Sequence, residues 1–147
     1  METLKIRKVQ KNGIVPKRAT AGSAGLDLCA CIEAPITLQG GDTALIPTGI
    51  AIEIPSADYG AFIFARSGLS IKHGIGLLNS VGVVDSDYRG EIKVGVINQI
   101  KEPYTIHPNE RIAQMVILPV STMPVEEVES LSDTERGDGG FGSTGTK

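Results

Sequence analysis

At 147 residues the chain holds enough material for one domain with a hydrophobic core and too little for two ordinary ones. Its 41% hydrophobic and 21% charged residues exclude a disordered chain. A formal charge of −3 without a dense lysine and arginine cluster argues against a broad polyanion-binding surface, so nucleic acid is not an expected partner. No stretch reaches membrane-spanning length and the start, METLKIRKVQ, lacks the apolar run of a secretory signal, so the expected location is cytoplasmic, or nuclear in a eukaryote, without a membrane partner.

In chain order, short apolar runs cover residues 4–9, 26–30, 44–46, 50–54, 61–65, 81–84, 92–97 and 112–118. Ile50, Ile52 and Ile54 alternate with Ala51 and Glu53, which is the period of a strand. Gly40, Gly41, Pro47, Pro55, Gly60, Gly90, Pro103 and Pro108 interrupt the pattern before an amphipathic helix completes three turns. The expected fold is all-β, a barrel or sandwich. One short helix is expected over 67–73, with Ser67 as its capping residue, Leu69 and Ile71 as its apolar positions and Gly74 as its stop. Cys29 and Cys31 lie two apart in an extended stretch, where geometry disfavours a bridge, and read as buried free thiols.

After residue 118 the composition turns polar and acidic, PVSTMPVEEVESLSDTE, and then glycine-rich, RGDGGFGSTGTK. This divides the chain into a β-barrel core, 1–118, an extended arm, 119–135, and a flexible C-terminal segment, 136–147. The arm spans roughly 55 Å when fully extended, against about 35 Å across a core of this size. It is therefore long enough to reach another subunit.

Three segments carry candidate chemistry, each with a plain alternative. Around Arg66, Ser67 and Gly68, a guanidinium, a hydroxyl and the first helical N–H groups can hold a phosphate, or form an ordinary helix cap beside a surface arginine. In Gly82-Val83-Val84-Asp85-Ser86-Asp87-Tyr88-Arg89-Gly90, Asp85 follows an apolar pair and can face a cavity as a general base for water; the alternative is a hairpin turn, which suits Asp87 better. Residues 136–145 can curl their backbone N–H groups around an anion beside Arg136, Ser143 and Thr144, with Phe141 as a flat apolar face, or form a disordered terminus. GFGSTGTK is not a Walker-type loop, because Thr146 replaces its lysine and no helix can follow. Cys29, Cys31, His73 and His107 lack zinc spacing, and no GxSxG element is present, so a protein-held metal cluster and covalent catalysis are disfavoured.

Five segments in order resemble the motifs of the trimeric dUTP pyrophosphatase (dUTPase) family: AGLDLCA at 24–30, RSGLS at 66–70, NSVGVVDSDYRGEIKV at 79–94, ERIAQMV at 110–116 and RGDGGFGSTG at 136–145. The resemblance implies a homotrimer of jelly-roll-like distorted β-barrels. Each active site would be shared among chains and closed by one chain's C-terminal lid. It also implies magnesium-dependent hydrolysis of dUTP to dUMP and pyrophosphate. Asp85 matches the catalytic aspartate that activates a water for attack on the α-phosphorus. Asn79 and the backbone of Val83, Val84 and Asp85 would line the uracil and deoxyribose pocket, with Lys93 beside it and Tyr88 packed on the sugar. Arg66, Ser67, Gly68 and Gln114 would contact the phosphates. Arg136, Gly142, Ser143 and Thr144 would hold their outer end, Phe141 would cover uracil, and Asp27 would reach magnesium through water.

Three departures stand out against the family pattern: Ala65 in place of a proline, Asn109-Glu110 in place of a glycine-acid pair, and the extra charge of Asp138. The alternatives are a dCTP deaminase of similar fold, which releases ammonia, and a non-catalytic nucleotide- or protein-binding member, against which the set Asp85, Arg136 and Phe141 argues.

Overall fold

The computed structural model describes residues 2–143 and 145 of the chain. Within them run β1 (Lys5–Lys8), β2 (Leu26–Cys29), β3 (Ile36–Leu38), β4 (Thr43–Pro47), β5 (Ile50–Glu53), β6 (Tyr59–Ala65), α1 (Ser67–His73), β7 (Ile75–Leu77), β8 (Gly82–Val84), β9 (Lys93–Asn98), β10 (Tyr104–Ile106) and β11 (Arg111–Pro119). Each of the eight apolar runs read from the sequence becomes a strand. β3, β7 and β10 are added, each three residues long and too short to display alternation.

All strand pairs are antiparallel. They form a four-stranded sheet ordered β2-β11-β6-β8, a three-stranded sheet ordered β4-β9-β7, and the pairs β1-β5 and β3-β10. The result is a jelly-roll-like β fold whose ladders do not join into one closed ring. Inward residues of every sheet meet in one core, in which Leu28, Ile46, Ile50, Ile75, Val94, Val96, Ile106, Ile112 and Met115 are almost wholly excluded from solvent. β9 shows the cause: Val94, Val96 and Asn98 point inward while Lys93, Gly95 and Ile97 point out.

The buried polar groups are paired. Asn98 donates from Nδ2 to the carbonyls of Leu38 at 3.0 Å and Glu102 at 2.8 Å and accepts from the Ile100 N–H at 3.1 Å, tying β9 to β3 and to the loop before β10. Thr48 Oγ1 donates to the Ile92 carbonyl at 2.6 Å. Unpaired, each buried group would cost on the order of 1–3 kcal/mol.

The helix α1 stops at Gly74, which takes the left-handed conformation with φ 67° and returns its N–H to the Ser70 carbonyl at 2.9 Å. Its start differs from expectation. Arg66 is the capping residue, still extended at φ −88° and ψ 131°, with no side-chain cap bond, and Ser67 is the first helical residue. The physical reason is that β6 runs straight into the helix, so the last extended residue takes the cap position. Leu69 packs into the core, whereas Ile71, two residues on, falls on the other side and is exposed.

Two irregularities of the four-stranded sheet bear on the site. β11 pairs with β2 through a one-residue register shift between Arg111 and Ala113. The sheet's outer face is also apolar: Val116 lies opposite Phe62, and Phe62 opposite Val83, with Phe64 and Leu118 on the same side. All five are partly or fully exposed. An antiparallel sheet with one solvated face ordinarily shows polar residues there.

Beyond Pro119 the described residues contain no helix or strand. Met115 is fully buried in the central strand of this sheet. Met115→Ala is expected to cost about 2–5 kcal/mol of unfolding free energy, read from chemical denaturation; a change inside experimental error would contradict the assigned core.

Candidate active site

A cavity of about 310 Å³ opens beside the junction of β2, β11 and α1, lined by Gly25, Asp27, Arg66, Ser67, Gly68, Arg111 and Gln114 among others. Asp27, on β2, is the electrostatic centre. Its Oδ1 accepts from Arg66 Nε at 3.0 Å and its Oδ2 from Arg111 Nη1 at 3.2 Å. Two guanidinium charges against one carboxylate leave the cavity net positive. Gln114 is held by its Nε2 donating to the Ala65 carbonyl at 3.0 Å. Gly25 makes room for it, since a Cβ there would lie 2.5 Å from Gln114 Oε1. At Gly68 a Cβ would meet nothing within 4 Å, so the backbone of the first helical turn stands open.

A second concavity, of about 300 Å³, is lined by Val83, Val84, Asp85, Tyr88, Glu91, Ile92 and Lys93. It is formed where β8 ends and the chain turns back toward β9. The Tyr88 N–H closes the turn onto the Asp85 carbonyl at 3.1 Å, and Arg89 Nη1 braces it by donating to the Ser86 carbonyl at 2.7 Å. The Tyr88 hydroxyl donates to the Glu91 carbonyl at 3.0 Å. Its ring lies over Gly90, where a Cβ would stand 2.4 Å from the hydroxyl oxygen. Asp85 is exposed, as is Asp87, so this chain alone does not wall in the carboxylate. Asn79 lies in the turn before β8, outside the lining of this concavity.

The two depressions share no lining residue and sit at opposite edges of one sheet. Three strand spacings of about 4.8 Å put their strands roughly 14 Å apart. Among the described residues, none of the tail lines either depression. Arg136 Nε donates to the Gly139 carbonyl at 2.8 Å, and the Ser143 N–H donates to the Gly140 carbonyl at 3.0 Å, so its contacts are local. Phe141 is fully exposed at φ 52°, and Gly142 takes φ 85°. Thr144 lies outside the described residues.

Arg111 lies within the segment ERIAQMV but has no role among the expected site residues. The available signal was the break in alternation at Ile112-Ala113, two successive apolar residues between polar ones. Among the described residues no three His, Cys, Asp or Glu side chains converge as a metal cage. Asp27 is a carboxylate of the cavity with both oxygens engaged by arginines, so a divalent cation there would be held mainly by the ligand that carries it rather than by a protein cage.

A family model described as dUTPase matches residues 11–145. The chain belongs to the dUTPase family. It is 51% identical over 142 residues, 97% of this chain and 96% of the relative, to the deoxyuridine 5′-triphosphate nucleotidohydrolase of Burkholderia mallei strain SAVP1. Identity to the enzyme of that name from Neisseria meningitidis serogroup A is 50%, over 97% of this chain and 95% of the relative. Among solved structures, the Staphylococcus bacteriophage 80alpha dUTPase with dUPNHPP superposes with a TM-score of 0.88 at 29% identity, covering 99% of each chain.

The departure at Asn109 has a local cause in this dUTPase. Asn109 adopts φ 66°, a left-handed conformation that glycine takes freely and asparagine tolerates. Glu110 anchors the turn, accepting from the Tyr104 hydroxyl and, at 2.9 Å, from the His107 N–H. Burial first, and then the bond to Glu110, push the Tyr104 phenol up to about 12 from its ordinary 10. A raised folded-state value favours the neutral phenol, so this stabilisation is present below pH 10 and is lost as pH rises through about 12. Chemical denaturation across pH 9 to 12.5 should show a falling limb that Tyr104→Phe flattens; an identical limb in the variant would assign the slope to other groups.

Proposed function

We propose that this dUTPase hydrolyses dUTP to dUMP and pyrophosphate at sites shared between copies of the chain, with Asp85 as the general base. The observation that carries the proposal is the division of labour between two partial sites on one sheet. One is a net-positive cavity around Arg66 and Gln114 suited to phosphates, and the other is a concavity with Asp85 and Tyr88 suited to a nucleoside. Each is incomplete alone. The apolar outer face that joins them, Phe62, Phe64, Val83 and Val116, gives a second copy a surface to cover, in keeping with a homotrimer.

In this reading Asn79 and the backbone of Val83 and Val84 receive uracil, Lys93 flanks the pocket and Tyr88 packs on deoxyribose against a 2′-hydroxyl. Arg66, Ser67, Gly68 and Gln114 donate to the phosphates. Arg136, Gly142, Ser143 and Thr144 close over the outer phosphates and Phe141 over the base, so that residues 136–147 act as a lid at the end of the arm 119–135. Asp85 takes a proton from water as its oxygen bonds to the α-phosphorus, the bond from that phosphorus to the bridging oxygen breaks, and pyrophosphate leaves. Asp27 would hold magnesium indirectly, through water, beside the phosphates, and the ion would supply charge neutralisation when bound. Donors fixed before substrate arrives stabilise charge without reorganisation, and a placed base contributes about 10²- to 10⁴-fold in rate.

The substrate belongs to the intracellular nucleotide pool, which supports a cytoplasmic location. Both cysteines are free, and among the described residues no helix is long and apolar enough to cross a membrane.

With magnesium, the protein should release pyrophosphate from dUTP and spare dCTP, dTTP and UTP. Discrimination against the cytosine base should reach about 10⁴, because a pocket paired to uracil leaves buried groups unmatched. Asp85→Asn should lower kcat at least about 100-fold while keeping affinity for an imido-linked dUTP analogue. Equal turnover of all four nucleotides, ammonia release from dCTP, or an active Asp85→Asn enzyme would each defeat the assignment. Removing residues 136–147 should abolish most turnover and leave the sedimentation behaviour of the assembly unchanged; a dissociated or fully active truncation would remove the lid role.

A further inference from the structure

From Ala113 to Met115, β11 faces β2 in regular antiparallel register, with Ala113 opposite Leu28, Gln114 opposite Asp27 and Met115 opposite Leu26. Continued without interruption, that register sets Arg111 opposite Ala30, which is 1% exposed, and alternation turns the arginine into the core. The ladder instead slips by one residue. Arg111 faces Cys29, and Ile112 and Ala113 are both buried. A one-residue bulge turns a side chain to the opposite face of its strand. Here it delivers Arg111 to the face that carries Asp27 and Gln114.

On that face Arg111 anchors Asp27 Oδ2 at 3.2 Å, while Asp27 Oδ1 accepts from Arg66 Nε at 3.0 Å. Arg66 Nη1 also donates to the backbone carbonyl of Arg111 at 3.2 Å. Arg66 is thus gripped twice, and both grips lead to Arg111. A guanidinium is planar, so two fixed donors set its plane and aim the remaining N–H groups into the cavity. Cys29, the register partner of Arg111, adds no charge, since burial and then Asp27 hold its thiol above its ordinary value.

We propose that Arg111 is a positioning residue, delivered by the β11 bulge to hold Asp27 and so fix the orientation in which Arg66 meets the substrate's phosphates. The proposal rests on the dUTPase reading only for the identity of the anion. It is tested with full-length Arg111→Met, Arg111→Lys, Asp27→Asn and the double variant Asp27→Asn/Arg111→Met. Arg111→Met should raise KM for dUTP roughly 10- to 100-fold, the equivalent of one charge-assisted hydrogen bond, with a smaller fall in kcat. Affinity for deoxyuridine, which has no phosphate, and the melting temperature should stay near wild type. Arg111→Lys should recover part of the KM loss, and it carries the test if the methionine variant misfolds.

Because both substitutions remove one tether, the double variant should be no worse than the weaker-binding single variant. Multiplying losses would mean that Arg111 touches the ligand directly and would overturn the proposal. So would an unchanged KM, or an equal loss of deoxyuridine affinity. Calorimetric binding of pyrophosphate, which needs no turnover, gives the same comparison. Wild-type protein inactive on dUTP would sink the functional reading, whereas pyrophosphate affinity equal in wild type and Arg111→Met would sink the positioning role.

Discussion

The pairing of β11 with β2 on one side and β6 on the other is the constraint from which the site follows. Inward, β11 supplies Ile112, Ala113 and Met115 to the core, and their burial holds the strand in place. Outward, the same strand sets Gln114 between Asp27 and Phe64, so an amide and a carboxylate that line the cavity are fixed by backbone ladder bonds rather than by flexible loops. Residues built on paired strands lose little entropy on meeting a ligand, because the fold has already ordered them.

The ion pairs at Asp27 contribute orientation more than stability. Both arginines keep contact with solvent, with side-chain exposures of 28% for Arg66 and 55% for Arg111, and pairs so placed are worth about 0–1 kcal/mol each. What the carboxylate does is hold two guanidinium groups side by side that would otherwise repel one another. This is how a chain of net charge −3 presents a positive cavity. The field is local, set by three side chains, and needs no basic surface elsewhere.

The other depression depends on a turn rather than on a ladder. Tyr88, folded over Gly90 and bonded to the Glu91 carbonyl, and Arg89, bonded within the turn, give the Asp85 segment a fixed shape without enclosing it. Asp85 and Phe141 both stand in solvent. Both groups are exposed on the single chain, as is the apolar outer face of the sheet, in keeping with the shared site proposed above.

By itself the sequence determined the all-β character, eight of the strands, the short helix and most residues that line the two depressions. The strands, helix and turns rest on local physics, period-two apolar patterns with glycine and proline at turns, whereas Asp27, Tyr88, Lys93 and Gln114 were legible only through the resemblance to the dUTPase motifs. β3, β7 and β10 escaped because three residues show too little alternation, whereas the equally short β8 lay within the apolar run 81–84, and Ser67 was misplaced as a cap because only the continuous run of β6 puts Arg66 there. The pairing of Asp27 with Arg66 and Arg111 joins residues 39 and 84 positions apart, and no local pattern encodes such contacts. Tertiary structure alone decided them, through the register of β2 against β11 and the single extra residue that turned Arg111 outward.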